Sequence, residues 1–352
     1  MKKELLIASA LVGSLGLAGV AEAASATMSG HQRVGVVGSE SDSSTTGGSN
    51  SSSRQSAFSV SISETTDAGM KISTGFDLAE ESSTLDMSGL TLTFTSGAKL
   101  DLIEAGNAAT THVASIPSAS GEQGMTAGTG DNAPTTLTFA DAGDAVGMEF
   151  HTSADAFGVE GLKGSISWST NTDAANTTAN HTDAGMFSVG ASYVSTAGDS
   201  TVTIGAGIYE GSTTSSTSLY EDEAIVVSAS AVTGNLTVGV GYADGTNVGE
   251  AGTTNVDGGS DGYAVTGAQV LKAGAKYVSG DMTFNLGMTS GEGKDGELNA
   301  VSEGKSDTFD TVNASIDYAV AAGVTATIGY ADETRKSEAA ESTASSGAAW
   351  YI

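Results

Sequence analysis

The 352-residue sequence contains no cysteine and only two prolines. Without cysteine the fold has no disulfide bonds, so its stability has to come from backbone pairing and burial. Lysine and arginine together number 13, against 42 aspartates and glutamates, which gives a formal net charge of −29 at pH 7. This excess of negative charge argues against a nucleic-acid partner, whose phosphates would be repelled, and favours cations.

Apart from its first segment, the sequence has no apolar run of the roughly 18 residues that a transmembrane helix requires. Residues 1–23 begin with Lys2 and Lys3, continue through an apolar stretch over 5–20 and end in Ala-Glu-Ala. A basic start, an apolar middle and an A-x-A end are typical of a Sec-type signal peptide. We therefore predict export of the chain and assign the fold to residues 24–352.

Histidine is also scarce, and the four histidines lie far apart in the sequence: His31, His112, His151 and His181. Their spacing does not fit a metal site. Two glycine-rich triplets, residues 205–207 and 239–241, fall within predicted strands rather than before helices, so they are not phosphate-binding loops. The sequence therefore predicts no catalytic residue, no metal centre and no cofactor.

Glycine, serine and threonine are abundant, and they alternate with apolar residues. Within residues 186–211, Phe187 and Val189 fall on one face of an extended strand, whereas Ser188 and Gly190 fall on the other. After a polar turn at 196–199 the alternation resumes. The apolar face then consists of Val202, Ile204, Ala206 and Ile208. Two alternating runs joined by a tight turn predict a β-hairpin.

The same pattern recurs along the rest of the chain. Runs of about ten alternating residues are joined in turn by tight turns and by long polar loops, such as residues 38–53, 213–223 and 244–262. About sixteen strands are predicted, and the last is cut short where the sequence stops at Ile352. Short turns at one end and long loops at the other are typical of outer-membrane barrels. We predict an all-β fold, a transmembrane antiparallel β-barrel of about sixteen strands.

The second face of nearly every strand consists of serine, threonine, glycine or aspartate. In a lipid-embedded barrel the apolar face points outward and the polar face lines the interior, and closure satisfies every backbone hydrogen bond. Sixteen strands leave a water-filled lumen, which inward-facing glycines are expected to keep open. Six tyrosines near predicted strand ends are expected to form interfacial girdles: Tyr193, Tyr209, Tyr242, Tyr277, Tyr318 and Tyr330.

Four short stretches, residues 28–36, 58–61, 65–72 and 240–243, make the sequence resemble the alphaproteobacterial general porins. The resemblance implies a sixteen-stranded, homotrimeric outer-membrane barrel whose third loop folds inward. That loop corresponds to residues 104–133, the longest stretch without a clear pattern. Family members usually end in an aromatic residue, from which this sequence departs.

The resemblance also implies a pore constriction, in which carboxylates of the third loop oppose basic residues of the facing wall. Fixed charges of both signs across a narrow waist discriminate between permeating ions. The alternation independently turns the basic candidates toward the lumen. The candidate constriction residues are Arg33, Lys71, Lys99, Asp101, Glu122 and Asp131.

Two functions are compatible with the sequence. The first is an outer-membrane channel in a Gram-negative bacterium, through which small hydrophilic solutes and ions diffuse passively, with a preference for cations. Its partners would be outer-membrane lipid, the permeating solutes and two further copies of the chain. The alternative is a β-rich surface adhesin or surface-layer protein whose acidic loops, at 80–81, 221–223 and 257–261, bind Ca²⁺ through carboxylate oxygens.

Overall fold

The computed structural model describes residues 24–41, 49–79, 86–102, 107–119, 137, 147–170, 185–215, 218–245, 265–295, 306–336 and 344–351. The predicted signal peptide lies outside these ranges, as do Glu122, Asp131 and the acidic loops at 80–81 and 257–261. Structural statements below refer to the described residues.

Sixteen strands and one short helix make up the described fold. The strands are β1 Ser25–Ser41, β2 Ser49–Thr65, β3 Lys71–Ala79, β4 Asp86–Thr93, β5 Lys99–Leu102, β6 Gly147–His151, β7 Leu162–Thr170, β8 Gly185–Ala197, β9 Ser200–Ser215, β10 Ser218–Thr233, β11 Leu236–Gly245, β12 Val265–Ser279, β13 Met282–Asp295, β14 Ser306–Ala321, β15 Val324–Lys336 and β16 Ala344–Tyr351. The helix, α1, spans Ala108–Thr111. Within the ranges given above, no helix has the length and apolar character that a membrane crossing requires.

Each strand pairs antiparallel with its neighbours in sequence, and β16 pairs with both β15 and β1. The contact between the first and last strands runs from Val37 opposite Tyr351 to Ser41 opposite Gly347. The sheet is therefore a closed barrel without a free edge, which is what a lipid environment requires of β-structure. The prediction of an all-β barrel with about sixteen strands is confirmed.

The outward face of the barrel is apolar, as the alternation predicts. Phe187 and Ile204 are 43% and 52% exposed, whereas Ser188 and Gly190, which alternate with Phe187 on β8, are buried. Large apolar side chains on a solvated outer surface would be unfavourable. Their arrangement around the whole barrel fits a surface that contacts hydrocarbon.

Three expectations about the strands are wrong. Of the loop predicted at residues 38–53, residues 38–41 belong to β1 and residues 49–53 belong to β2. The loop predicted at residues 213–223 is mostly strand, because β9 continues to Ser215 and β10 begins at Ser218. The threonines and serines there continue the backbone ladder instead of leaving it. Tyr209 does not belong to an outer girdle, because it faces inward and is only 3% exposed. It shares its face of β9 with Gly205 and Gly207, both buried.

Candidate functional site in the barrel lumen

Residues 107–119, here called the inner segment, lie against the inner wall of the barrel. The Ala108 backbone N–H donates to Ser167 Oγ at 3.0 Å, and the Ala114 N–H donates to Ser228 Oγ at 2.8 Å. At its far end the Ala119 N–H donates to Asn313 Oδ1 at 2.8 Å. These acceptors lie on β7, β10 and β14, so the segment crosses eight consecutive strands. Wall hydroxyls and amides thereby satisfy backbone groups that have no partner within a loop.

The inner segment begins with the single helical turn α1. The side-chain oxygen of Asn107 accepts the Ala109 N–H at 3.0 Å, which is the usual role of asparagine before a helix. The Thr110 hydroxyl donates back to the Asn107 carbonyl at 3.0 Å, and Thr111 Oγ1 lies 3.2 Å from the same carbonyl. The turn ends at His112, and residues 113–119 continue along the wall without helix or strand.

A row of inward-facing glycines, here called the glycine track, lies beneath the segment. Its members are Gly190, Gly205, Gly207, Gly239 and Gly274. A Cβ atom at Gly205 would overlap the His112 carbonyl oxygen, and one at Gly274 would overlap the Pro117 carbonyl oxygen. Only glycine allows two backbones to approach so closely. The expectation that these glycines keep the lumen open is therefore wrong, because they accommodate the inner segment.

An apolar cluster fills the space between the inner segment and strands β8 to β12. Val226 and Val270, each 1% exposed, belong to this cluster together with Ala109 and Tyr209. This part of the inner wall is apolar, contrary to the uniformly polar interior that the alternation predicts. The run Ala-Ile-Val-Val at residues 224–227 is apolar on both faces of the strand, and this run indicates an apolar inner wall from the sequence alone.

A chain of hydrogen bonds, here called the histidine chain, ties the helical turn to the wall. His151 Nε2 lies 2.7 Å from Asp101 Oδ2, and His151 Nδ1 lies 2.8 Å from Ser165 Oγ. The same hydroxyl lies 2.8 Å from His112 Nε2, and His112 Nδ1 lies 2.9 Å from Ser192 Oγ. Residues of β5, β6, β7 and β8 thus converge on one imidazole of the inner segment.

One assignment of protons satisfies every contact in the histidine chain with both imidazoles neutral. His151 donates from Nε2 to Asp101 and accepts the Ser165 hydroxyl proton at Nδ1. His112 donates from Nε2 to the Ser165 oxygen and accepts the Ser192 hydroxyl proton at Nδ1. Each neutral ring supplies one donor and one acceptor, as this arrangement requires.

The electrostatic surroundings favour the neutral form of His112. Burial lowers the pKa of His112 below its ordinary value of 6.5, and repulsion from Lys163 and from a protonated His151 lowers it further. Glu149, 2% exposed, accepts the Thr111 hydroxyl proton at 2.8 Å and lies 3.7 Å from His151 Nδ1. The carboxylates of Asp101 and Glu149 therefore lie next to His151 rather than next to His112.

Four of the six predicted constriction residues lie in the described ranges. Lys71 and Lys99 are the first residues of β3 and β5, next to short turns, and both are exposed. Arg33 is exposed on β1. Asp101 accepts hydrogen bonds from Thr91 and His151. Asp101 thus belongs to the histidine chain, and Lys99 lies opposite His151 in the strand register.

Sequence reasoning missed the roles of both histidines. His151 shares the inward face of β6 with Glu149, opposite Met148 and Phe150, and this alternation was a usable signal. No local pattern marked His112, because it lies in a loop 53 residues before its partner Ser165.

Comparison with known proteins agrees with the barrel. The chain is similar to a porin structure refined at 1.8 Å resolution, with 18% identity over 93% of this chain and 100% of the other, and a TM-score of 0.57. It is similar to OmpT, an outer membrane protein of Vibrio cholerae, with 12% identity over 99% and 100% of the two chains and a TM-score of 0.52. An anion-selective porin from Comamonas acidovorans has 10% identity, coverage of 93% and 98%, and a TM-score of 0.57.

No curated protein matches the chain in sequence. The sequence profile of the Gram-negative porin family, however, matches residues 8–338. A closed sixteen-stranded barrel, an apolar outer face and this match over nearly the whole length lead to one conclusion. The chain belongs to the Gram-negative porin family and is a channel protein of the outer membrane of a Gram-negative bacterium.

Proposed function

We propose that this channel allows small hydrophilic solutes and ions to diffuse passively, with a preference for cations. The observation that carries the proposal is the inside-out polarity of the closed barrel, with apolar residues such as Ile204 outward and hydroxyls such as Ser188 inward. Passive diffusion needs no nucleotide and no resident cofactor. The surface-protein alternative is not favoured, because a water-exposed adhesin gains nothing from an apolar outer face.

The cation preference is supported by the net charge of −29, which concentrates cations around the channel mouths. Lys71 and Lys99 act in the opposite direction if they face permeating ions. We also infer that Arg33, Lys71, Lys99 and Asp101 belong to the constriction, together with Glu122 and Asp131 of the third loop.

The decisive measurement is the reversal potential in a salt gradient across a planar bilayer. The wild-type channel is expected to favour cations, and the double variant Lys71→Glu, Lys99→Glu is expected to favour them more. The neutral variants Lys71→Gln and Lys99→Gln should shift the potential less, in the same direction, because they remove positive charge without adding negative charge. A wild-type preference for anions would overturn the cation proposal, and unchanged potentials in the variants would remove both lysines from the constriction.

A homotrimer is the proposed assembly. The outer face of β1 carries the polar side chain of Gln32 among apolar residues such as Val34. Polar groups are costly to place in hydrocarbon, so a second copy covering this face would be favourable. OmpT of Vibrio cholerae, which has the same fold, is described in a trimer form.

A further inference from the structure

The connection between β6 and β7, residues 152–161, is here called the β6–β7 turn. It has ten residues, whereas the turns after β8, β10, β12 and β14, at the same end of the barrel, have two each. In an outer-membrane barrel the short turns lie at the periplasmic end. Two residues are enough to join neighbouring strands there, so most of the β6–β7 turn is not needed to close the barrel.

Hydrogen bonds fix the shape of this turn. Asp155 has a φ of 62°, and its carboxylate accepts the Gly161 N–H at 2.8 Å. The Val159 carbonyl accepts the Leu162 N–H at 3.1 Å. A Cβ atom at Gly161, where φ is +81°, would overlap the Val194 carbonyl oxygen, so the end of the turn packs against β8. The turn therefore holds its side chains in a defined arrangement.

The turn bends over the outer side of the barrel wall. Gly164 shares the outward face of β7 with Ile166 and Trp168, which are each 44% exposed, yet Gly164 is buried. The ring of Phe157 covers it, because a Cβ atom at Gly164 would lie 3.5 Å from Phe157 Cε2. Phe157 therefore lies on the side of the wall that contacts hydrocarbon, and not over the lumen.

On that side the turn extends the apolar surface of the wall. Phe157 is 58% exposed and Val159 is 47% exposed. Tyr193 of β8, 40% exposed, lies opposite Leu162 in the strand register, and Leu162 is the residue hydrogen-bonded to Val159. The turn is thus continuous with the lipid-facing surface. Two large apolar side chains held out in water are unfavourable, whereas lipid at the edge of the bilayer would cover them.

We propose that the β6–β7 turn is a membrane anchor, whose Phe157 and Val159 enter the periplasmic leaflet of the outer membrane. The partner is phospholipid, and the depth of insertion is the interface between the head groups and the acyl chains. Asp155 and Glu160 are exposed on the same turn. Because carboxylates are costly in hydrocarbon, these two residues keep the turn from going deeper. The anchor holds β6 and β7 at a fixed depth in the membrane.

The test is the quenching of a single fluorescent label, which can be attached at any position because the native sequence has no cysteine. Val159→Cys carries the label, and the purified protein is reconstituted in phosphatidylcholine nanodiscs, which leave both ends of the barrel open to water. The matched control is Ala322→Cys, in the two-residue turn after β14. Relative to this control, the label at position 159 should be quenched several-fold more by lipids with a nitroxide near the head group, and several-fold less by aqueous iodide.

Phe157→Cys should give the same result, and it answers the question if Val159→Cys does not assemble. Iodide quenching at position 159 as strong as that at position 322 would overturn the anchor. Protection from both quenchers would also overturn it, because in the purified protein a second copy of the chain would then cover the turn.

Both labelled variants should conduct like the wild type in planar bilayers, because the turn lies outside the lumen. A wild-type protein that does not conduct would contradict the proposed function, whereas the quenching tests the anchor independently of conduction.

Discussion

At the residue scale, the same residue types serve different purposes on the two sides of the barrel wall. A serine on the inner face of a strand was expected to meet water. Ser167 and Ser228 instead accept backbone N–H groups of the inner segment, and Ser165 joins two imidazoles. Period-two alternation shows that a side chain faces inward, but it does not show what the side chain meets there, because the partner lies elsewhere in the sequence.

Gly205 offers a direct test of the glycine track. In Gly205→Ala the new methyl group would overlap the His112 carbonyl oxygen, so the inner segment must shift. Overpacking of this kind typically costs about 1–3 kcal/mol. We expect a lower unfolding midpoint in detergent and an altered single-channel conductance.

The matched control is Gly164→Ala on β7, where a Cβ atom would meet its neighbours at 3.5 Å, an ordinary contact distance. This variant should behave like the wild type. Equal effects of the two substitutions would show that the loss comes from the strand backbone and not from the inner segment.

At the element scale, strand length and strand polarity have different origins. β9 and β10 have 16 residues each, more than the roughly 9–11 that cross a bilayer. Hydrophobic alternation marks only the part of a strand that contacts lipid, whereas backbone pairing continues beyond it. For this reason the sequence predicted the number of strands and their outward faces but placed the loop-side ends of several strands too early.

Adjacent residues of β9 test the two faces of the wall. Ile204→Lys places a charge on the lipid-facing side, where Ile204 is 52% exposed, and should cost about 2–4 kcal/mol near the bilayer centre. Thr203→Lys puts the same charge on the inward face and should cost much less. Urea unfolding of protein reconstituted in lipid vesicles measures both. A larger cost for Thr203→Lys than for Ile204→Lys would reverse the assignment of the faces.

At the scale of the whole molecule, the barrel is asymmetric around its circumference. Strands β7 to β14 carry the inner segment on their inside, whereas β1 and β2 carry polar residues on their outside. The inner segment of the same chain covers the inside of β7 to β14. The outside of β1 and β2 can be covered only by another molecule, and in the proposed trimer a neighbouring copy covers it.

The absence of cysteine from the native sequence allows the trimer contact to be tested with single thiols. Val34, 77% exposed on the outer face of β1, is expected to lie close to a neighbouring copy. Val34→Cys should therefore form covalent dimers with a short bifunctional thiol reagent in native membranes. Ile208→Cys, 57% exposed on β9, is the control and should remain monomeric on a denaturing gel. Efficient cross-linking through position 208 but not through position 34 would place the contact on the opposite wall.

The sequence by itself determined the class of fold, because the alternation of side chains between the two faces of a strand is a local property. Phe187, Val202 and Ile204 could be assigned to the outer surface without knowing any of their neighbours. Only the tertiary structure decided the path of the inner segment and the pairing of His112 with His151. Those contacts join residues as far apart as Ala119 and Asn313, and they depend on how the closed barrel brings its strands together.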